Sequence, residues 1–274
     1  MKFICGKYTL DLTRPHVMGI VNVTPDSFSD GGRYAATESA IAHGLRLAAE
    51  GADILDIGGE STRPGATPVP LDEELRRVIP VIEGLAARAT IPLSIDTYKP
   101  EVMQAAVAAG ASIVNDINAL QAPGALEIVA ATDAGVCLMH MQGTPQTMQQ
   151  DPHYQDVVGE VADFLRARLA AATEYGIAAE RVVLDPGFGF GKTRAHNLAM
   201  MRELETLCAL GRPLLAGVSR KSVLGQVTGN DVDARLHASL AAAVIAAMKG
   251  AKILRVHDVK ATVDALKVVA AVNG

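Results

Sequence analysis

The sequence has no tryptophan, and only 4% of its 274 residues are aromatic. Its core must therefore be filled by Ala, Val, Leu, Ile and Met rather than by large rings. It also has no excess of basic residues. The formal net charge of −5 argues against general nucleic-acid binding, which needs a basic face to neutralise phosphates. A local basic pocket for an anionic substrate is still compatible with that charge. No run reaches the ~18 apolar residues of a spanning helix. The opening segment MKFICGKYTLDLTRPH alternates polar and apolar residues and lacks the apolar stretch of a signal peptide. Neither membrane spanning nor export is expected. Cys5, Cys137 and Cys208 are odd in number and far apart, and none lies in a CxxC or a His-containing zinc-like cluster. They read as reduced thiols of a cytoplasmic protein. No Pro/Gly/Ser-rich linker splits the chain, so residues 1–274 are expected to form one domain.

What is present is an ordinary globular balance, 49% hydrophobic and 20% charged, arranged with a clear rhythm. Eight short apolar runs recur, at residues 17–23, 53–57, 92–96, 112–115, 135–140, 181–185, 213–218 and 252–256. Between them lie longer segments with apolar residues three and four apart, such as 37–50, 72–88, 101–109, 156–175 and 233–249. Thr37 opens one of these with a helix-capping pattern. Gly51, Gly110, Gly176 and Gly250 follow helix ends, where a left-handed residue is favoured. Apolar runs without polar alternation suggest parallel strands covered on both faces. Eight strand–helix units predict an α/β fold, a closed (β/α)8 TIM barrel, over an open doubly wound sheet. Residues 2–12 read as a short N-terminal β-hairpin that would plug the bottom of the barrel.

The chemistry concentrates where these runs end. Asn22, Asp56, Asp96, Asn115 and Asp116, His140, and Asp185 close the first six. Ser219, Arg220 and Lys221 follow the seventh, and Arg255 and His257 the eighth. A barrel brings all of them to its C-terminal mouth, where barrel enzymes build their sites. Left alone there, each buried polar group would cost a few kcal/mol. Asp96, Asn115 and Asp185 supply acceptors and a carboxamide suited to a flat heterocycle with amino and imino donors. Arg63, Lys221, Arg255 and His257 suit an anion, above all phosphate. Asn22 and the acids of the first loop could hold a hard cation, with phosphate oxygens and waters completing its shell. The combination predicts a heterocycle joined to a phosphate ester.

The segment PGFGFGKT at 186–193 is not a phosphate-binding P-loop, because the required first glycine is Pro186. It is not a dinucleotide fingerprint either, because Gly187, Gly189 and Gly191 alternate. It reads as a tight loop whose Phe188 or Phe190 faces a ring ligand. Residues 24–34 and 58–70 read as two long loops able to act as lids, with Phe28 at the tip of the first. His140, between Met139 and Met141, reads as a packed, hydrogen-bonded side chain, and Cys137 as core.

Seven segments, MGIVNVTPDSFSDGG, GADILDIGGESTRPGA, LSIDTYKP, VNDINAL, LDPGFGFGKT, GVSRKSVLG and RVHDV, resemble the successive signature blocks of the dihydropteroate synthase family. They occur in that family's order and span most of the chain. The resemblance implies condensation of 6-hydroxymethyl-7,8-dihydropterin diphosphate with 4-aminobenzoate, releasing diphosphate, in folate biosynthesis. It implies that Asp96, Asn115, Asp185 and Lys221 contact the pterin. Thr62, Arg63, Arg255 and His257 would take the diphosphate, and Asn22 would contact Mg2+ through it. Phe28, Arg63, Pro64, Phe190, Ser219 and Lys221 would border the aminobenzoate. Asp96, Lys221, Arg255 and Asp30 would carry the chemistry. The resemblance further implies a cytoplasmic homodimer packed through its last helices, and competition by sulfonamides. A dissociative substitution suits a CH2 on a conjugated ring attacked by a weakly nucleophilic aromatic amine, with no covalent enzyme intermediate. Two other readings compete. A pterin-binding methyltransferase would share the acidic pocket without needing Arg63 and the SRKS and RVH segments. A non-catalytic paralogue would be expected to have lost some of these residues, and none is missing.

Overall fold

The computed structural model describes residues 1–23 and 33–273. Phe28 and Asp30, and the tip of the first long loop, lie outside them.

The chain opens with an antiparallel hairpin of β1 (Lys2–Cys5) and β2 (Tyr8–Asp11). Eight parallel strands follow: β3 (His16–Asn22), β4 (Ile54–Gly58), β5 (Leu93–Asp96), β6 (Ile113–Asp116), β7 (Gly135–Met139), β8 (Val182–Asp185), β9 (Leu215–Ala216) and β10 (Ile253–Val256). They neighbour one another in the order β8-β7-β6-β5-β4-β3-β10-β9. A parallel bridge from Leu184 to Leu214 joins the two ends and brings the ring to near closure. The outer ring is helical: α1 (Arg33–Ala49), α2 (Leu71–Ala86), α3 (Pro100–Ala108), α4 (Ala125–Ala130), α5 (Val157–Glu174), α6 (Arg194–Arg202), α7 (Leu204–Cys208), α8 (Ser222–Thr228), α9 (Leu236–Met248) and α10 (Val259–Asn273).

All eight apolar runs are strands, because each is buried on both faces and only strands bury a run of consecutive side chains in four or five residues. The seventh is much shorter than its 213–218 run. After Ala216 the chain leaves the sheet to form a turn in which Arg220 adopts φ +56. The amphipathic segments are helices. In α2, three acidic residues in the first turn favour the helix N-terminus, and Val78, Val81, Ile82 and Leu85 form the buried stripe. Thr37 does not cap α1. That helix begins earlier, at Arg33, and Thr37 lies within it. Gly51, Gly110, Gly176 and Gly250 do close helices with positive φ.

The hairpin plugs the barrel floor. Phe3, Cys5 and Leu12 pack against Met18, Ile54, Ile113, Cys137, Val183, Leu215 and Ile253, which come from seven of the eight barrel strands. Gly135 makes room for it, since a Cβ there would lie 2.5 Å from the Phe3 ring. A second, larger core lies between the strands and the helices. With the floor sealed and the sides covered, the polar strand ends have only the C-terminal mouth to open into.

Candidate active site

Strand register sets the first layer of the site. Gly58 of β4 stands beside Asp96 of β5, which stands beside Asn115 of β6; Met139 of β7 stands beside Asp185 of β8. The mouth holds a recess of ≈460 Å3, counting its open side, lined by Asp96, Asn115, Asp185, Thr62, Ser219, Lys221, Arg255 and His257 together with Phe188 and Phe190. Ile20, Ile117, Met139, Gly187 and Gly217 complete the wall.

The acidic side of the recess is organised by Arg255. Its Nε donates to Asp56 Oδ2 at 2.6 Å and its Nη2 to Asp96 Oδ2 at 2.6 Å. Asn115 Nδ2 donates to the same Asp56 oxygen at 3.0 Å. Asp185 Oδ1 accepts from the amide of Gly187 at 2.7 Å. The other oxygen of Asp96 is buried and accepts nothing among the described residues. Burial pushes the Asp96 carboxyl up to about 7. Asp56 and Glu74 add to the shift, while Arg255 and Lys221 oppose it. Burial likewise raises Asp185 to about 6, against the Gly187 hydrogen bond and the nearby cations. Burial alone would lower Arg255, but Asp56 and Asp96 outweigh it, so the guanidinium is permanently charged.

The opposite rim is cationic. Burial lowers Lys221 to about 8, and Arg255 adds to this; its Nζ lies 4.1 Å from the centre of the Phe190 ring. His257 is lowered to about 4 by burial and by the neighbouring Arg255 and Arg220, so it is neutral at pH 7. Ser219 Oγ accepts from the His257 amide at 3.2 Å and lies 3.0 Å from His257 Nδ1. With Nδ1 accepting from this hydroxyl, the neutral imidazole would carry its proton on Nε2, as a donor for an anion. Arg220 faces the other way, into a two-bond pair with Asp258 at 3.0 and 2.7 Å.

The glycine-rich loop forms one wall. Gly187, Gly189 and Gly191 all have positive φ, which is why glycines alternate there. Lys192 holds the loop from behind. Its buried Nζ donates to the carbonyls of Gly187 and Phe190, each at 2.9 Å, and lies 2.9 Å from His140 Nδ1. His140 is thus a packed, hydrogen-bonded residue, edge-on to Phe164 at 4.9 Å, and burial drives it down to about 3. Cys137 is core, its thiol pushed up by burial. Asp116 serves structure rather than ligand: both its oxygens accept backbone amides, from Asn118 and Leu120 at 2.7 Å, in the loop where Ala119 and Leu120 have positive φ.

Three expected residues stand elsewhere. Arg63 and Pro64 are exposed on the loop after β4 and do not line the recess. Side chains of α2 and of the turn after β5 anchor the start of that loop. Gly59 O accepts from Arg77 at 2.8 Å, and Glu60 is held by Tyr98 at 2.8 Å and Lys99 at 2.5 Å. Thr62 therefore stays at the recess. Beyond it the loop leans outward, with Gly65 donating to Pro145 O at 3.1 Å. Asn22 is exposed at the end of β3, also outside the lining. Two residues with no assigned role carry weight. Asp56 was visible as a strand-end acid, but its link to Arg255 reaches over β3 to a strand almost 200 residues later in the chain. Lys192 gave no signal beyond the glycine motif. Met139 and Gly217 follow the same strand-end rule as the polar residues and could have been found by it.

Comparison with known proteins agrees with this geometry. Residues 18–257 match the family described as "Pterin binding enzyme". Dihydropteroate synthase of Escherichia coli (strain K12) is 52% identical over 271 residues, which is 99% of this chain and 96% of that one. The solved structure of Xanthomonas albilineans dihydropteroate synthase with 4-aminobenzoic acid is 58% identical, with a TM-score of 0.94 over 100% of this chain and 98% of that one. The Burkholderia cenocepacia dihydropteroate synthase structure, complexed with 7,8-dihydropteroate, is 52% identical, with a TM-score of 0.91 over 99% and 96%. A barrel mouth with an acceptor wall facing a cationic rim, and identity above half along the whole chain, lead to one assignment: the chain belongs to the dihydropteroate synthase family of pterin-binding enzymes.

Proposed function

We infer that the chain condenses 6-hydroxymethyl-7,8-dihydropterin diphosphate with 4-aminobenzoate, giving 7,8-dihydropteroate and diphosphate. One observation carries the reading. A single recess sets acceptor oxygens of Asp96, Asn115 and Asp185 against the donors Lys221, Arg255 and His257. Such a site suits a ligand that is donor-rich at one end and anionic at the other.

In the reaction the bond from the pterin methylene carbon to the diphosphate oxygen breaks, and the electron pair leaves with diphosphate. The amine nitrogen of 4-aminobenzoate bonds to that carbon and then loses a proton. Arg255 and His257, joined by Thr62 and Arg63, stabilise charge growing on the leaving group. Asp96 and Asp185 stabilise positive charge on the ring, with Lys221 beside them. Phe190, Pro64 and Ser219 border the amine. Phe28 and Asp30 would join them from the first long loop, as the family resemblance implies, and the loops would exclude water from the developing cation.

The residues fit magnesium as a companion of the substrate. Among the described residues no three His, Cys, Asp or Glu side chains converge on a metal position. Asn22 offers a neutral carboxamide at the strand end, suited to completing a shell of diphosphate oxygens and waters. Bound there, the ion would neutralise leaving-group charge.

The chain is further assigned as a cytoplasmic homodimer. No described helix is long and apolar enough to cross a membrane, and Cys5, Cys137 and Cys208 are all free thiols. Exposed Ile245 and Met248 on α9 and Val268 and Val272 on α10 supply an apolar surface for a second copy. Sedimentation at micromolar concentration reads the assembly.

Diphosphate release measured with and without 4-aminobenzoate tests the function. Release that requires the amine is expected. Release without it, or none with both substrates, rejects the reading.

A further inference from the structure

Asp56 contacts no pocket space, yet it touches two residues that do. It is fully buried on β4. Its Oδ2 accepts from Asn115 Nδ2 at 3.0 Å and from Arg255 Nε at 2.6 Å. An ionised carboxylate can only accept, so the Asn115 amide must turn its NH2 toward Asp56. Its oxygen is then left for the recess, and no described residue donates to it. The same Asp56 oxygen holds Nε of Arg255, whose Nη2 is held by Asp96. Arg255 is therefore fixed at two points along its guanidinium, not one.

We propose that Asp56 is a positioning residue that sets the polarity of the pterin pocket: through Asn115 it presents a ring-facing acceptor, and through Arg255 it aims the cation of the diphosphate side. The proposal rests on the pterin-binding reading of the recess. Its chemical consequence is selectivity for ligands bearing N–H or NH2 donors at the edge that meets Asn115. An amide free to flip would offer its NH2 half the time and would accept an acceptor edge as well. Asp96 and Asp185 cannot replace this function, because neither touches Asn115 in the described hydrogen bonds. Sequence alone marks Asp56 as one more strand-end acid. Its role depends on a contact 59 residues away and another 199 residues away.

The test uses the full-length chain and 6-hydroxymethylpterin, titrated calorimetrically without diphosphate, so that ring binding is read apart from the leaving group. Asp56→Asn keeps the shape and removes the carboxylate. It is expected to weaken pterin binding ~10- to 100-fold, the range of one charge-assisted hydrogen bond, while circular dichroism stays native. The exchanged pair Asp56→Asn with Asn115→Asp restores the bond with its direction reversed, and leaves an acceptor oxygen at position 115. It is expected to bind at least ~10-fold tighter than Asp56→Asn. Wild-type protein that fails to bind the pterin rejects the pocket reading itself. Wild-type binding matched by Asp56→Asn rejects only the role of Asp56. If Asp56→Asn does not fold, the exchanged pair decides: folding with pterin binding supports the proposal, and failure to fold or to bind overturns it.

Discussion

Gly187 offers a steric test of the loop that walls the recess. Its φ is +66, a region that costs an L side chain roughly 1–2 kcal/mol. Space is a second problem. A Cβ would lie 1.9 Å from the carbonyl oxygen of His140, well over 1 Å inside the ~3.3 Å at which carbon meets a carbonyl oxygen. That oxygen belongs to backbone at the end of β7, so it cannot swing away as a side chain would. Either β7 or the loop must move, and forced displacements of that kind cost roughly 1–3 kcal/mol more. Gly187→Ala is therefore expected to lose about 2–5 kcal/mol.

Gly176 provides the control. It closes α5 with φ +89, and nothing lies within 4 Å of its would-be Cβ. Gly176→Ala carries the conformational cost alone, about 1–2 kcal/mol. Urea unfolding of both variants separates the two contributions. Activity separates them further. Gly187, Phe188 and Phe190 line the recess and Lys192 is bonded to the Gly187 carbonyl, so moving the loop by ~1 Å should lower turnover on the order of 100-fold. Gly176→Ala should keep wild-type turnover. Equal stability of the two variants, with turnover retained in Gly187→Ala, would refute the steric account of this loop.

Other outcomes follow from the same geometry. Arg255→Ala breaks a buried ion triad with Asp56 and Asp96, which costs about 3–5 kcal/mol and should leave the chain folded but nearly without diphosphate release; full turnover removes Arg255 from the chemistry. Pterin binding should weaken as pH falls through about 7. A ring donor binds the ionised form of Asp96, so affinity drops up to ~10-fold per pH unit below that value, and more steeply once Asp185 protonates near 6. A flat calorimetric profile between pH 5 and 8 contradicts this. Substrates should bind in order, because Arg63 and Pro64 stand outside the recess until the diphosphate draws their loop inward; tight 4-aminobenzoate binding to the free protein, without diphosphate, is the opposing result.

Much of this site is legible without coordinates, for a physical reason. A closed parallel barrel has one end where strands become loops, so any polar residue that terminates an apolar run must arrive there. Asp96, Asn115 and Asp185 needed nothing more. Neither did Ser219 and Lys221, which follow a strand only two residues long. What sequence hides is direction. Asp116 follows Asn115 immediately, yet alternation along β6 sends it outward to cap the loop at Asn118 and Leu120. Arg220 and Lys221 are likewise adjacent, and the left-handed backbone at Arg220 sends one to Asp258 and the other into the recess. Distance is hidden as well. Nothing local to residue 63 tells how far a loop anchored at Glu60 will lean.

The acids and cations of the mouth also explain one another in a way no single motif discloses. Asp56, Asp96 and Asp185 face Lys221 and Arg255, with Lys192 one layer behind. Three carboxylates gathered alone would protonate, and three cations gathered alone would shed protons or repel an organised wall. Burial displaces Asp96, Asp185, Lys221 and Lys192 toward pH 7, and the opposite charges across the mouth hold those shifts back. A ligand that brings ring donors to the acids and an anion to the cations satisfies both sets at once. Either half alone must compete with the pairing of acids to cations that the empty mouth already has, as in Arg255 with Asp56 and Asp96. The pocket should therefore favour the whole pterin diphosphate over the sum of its parts, and binding energy from the diphosphate end is available to release Asp96 toward the ring.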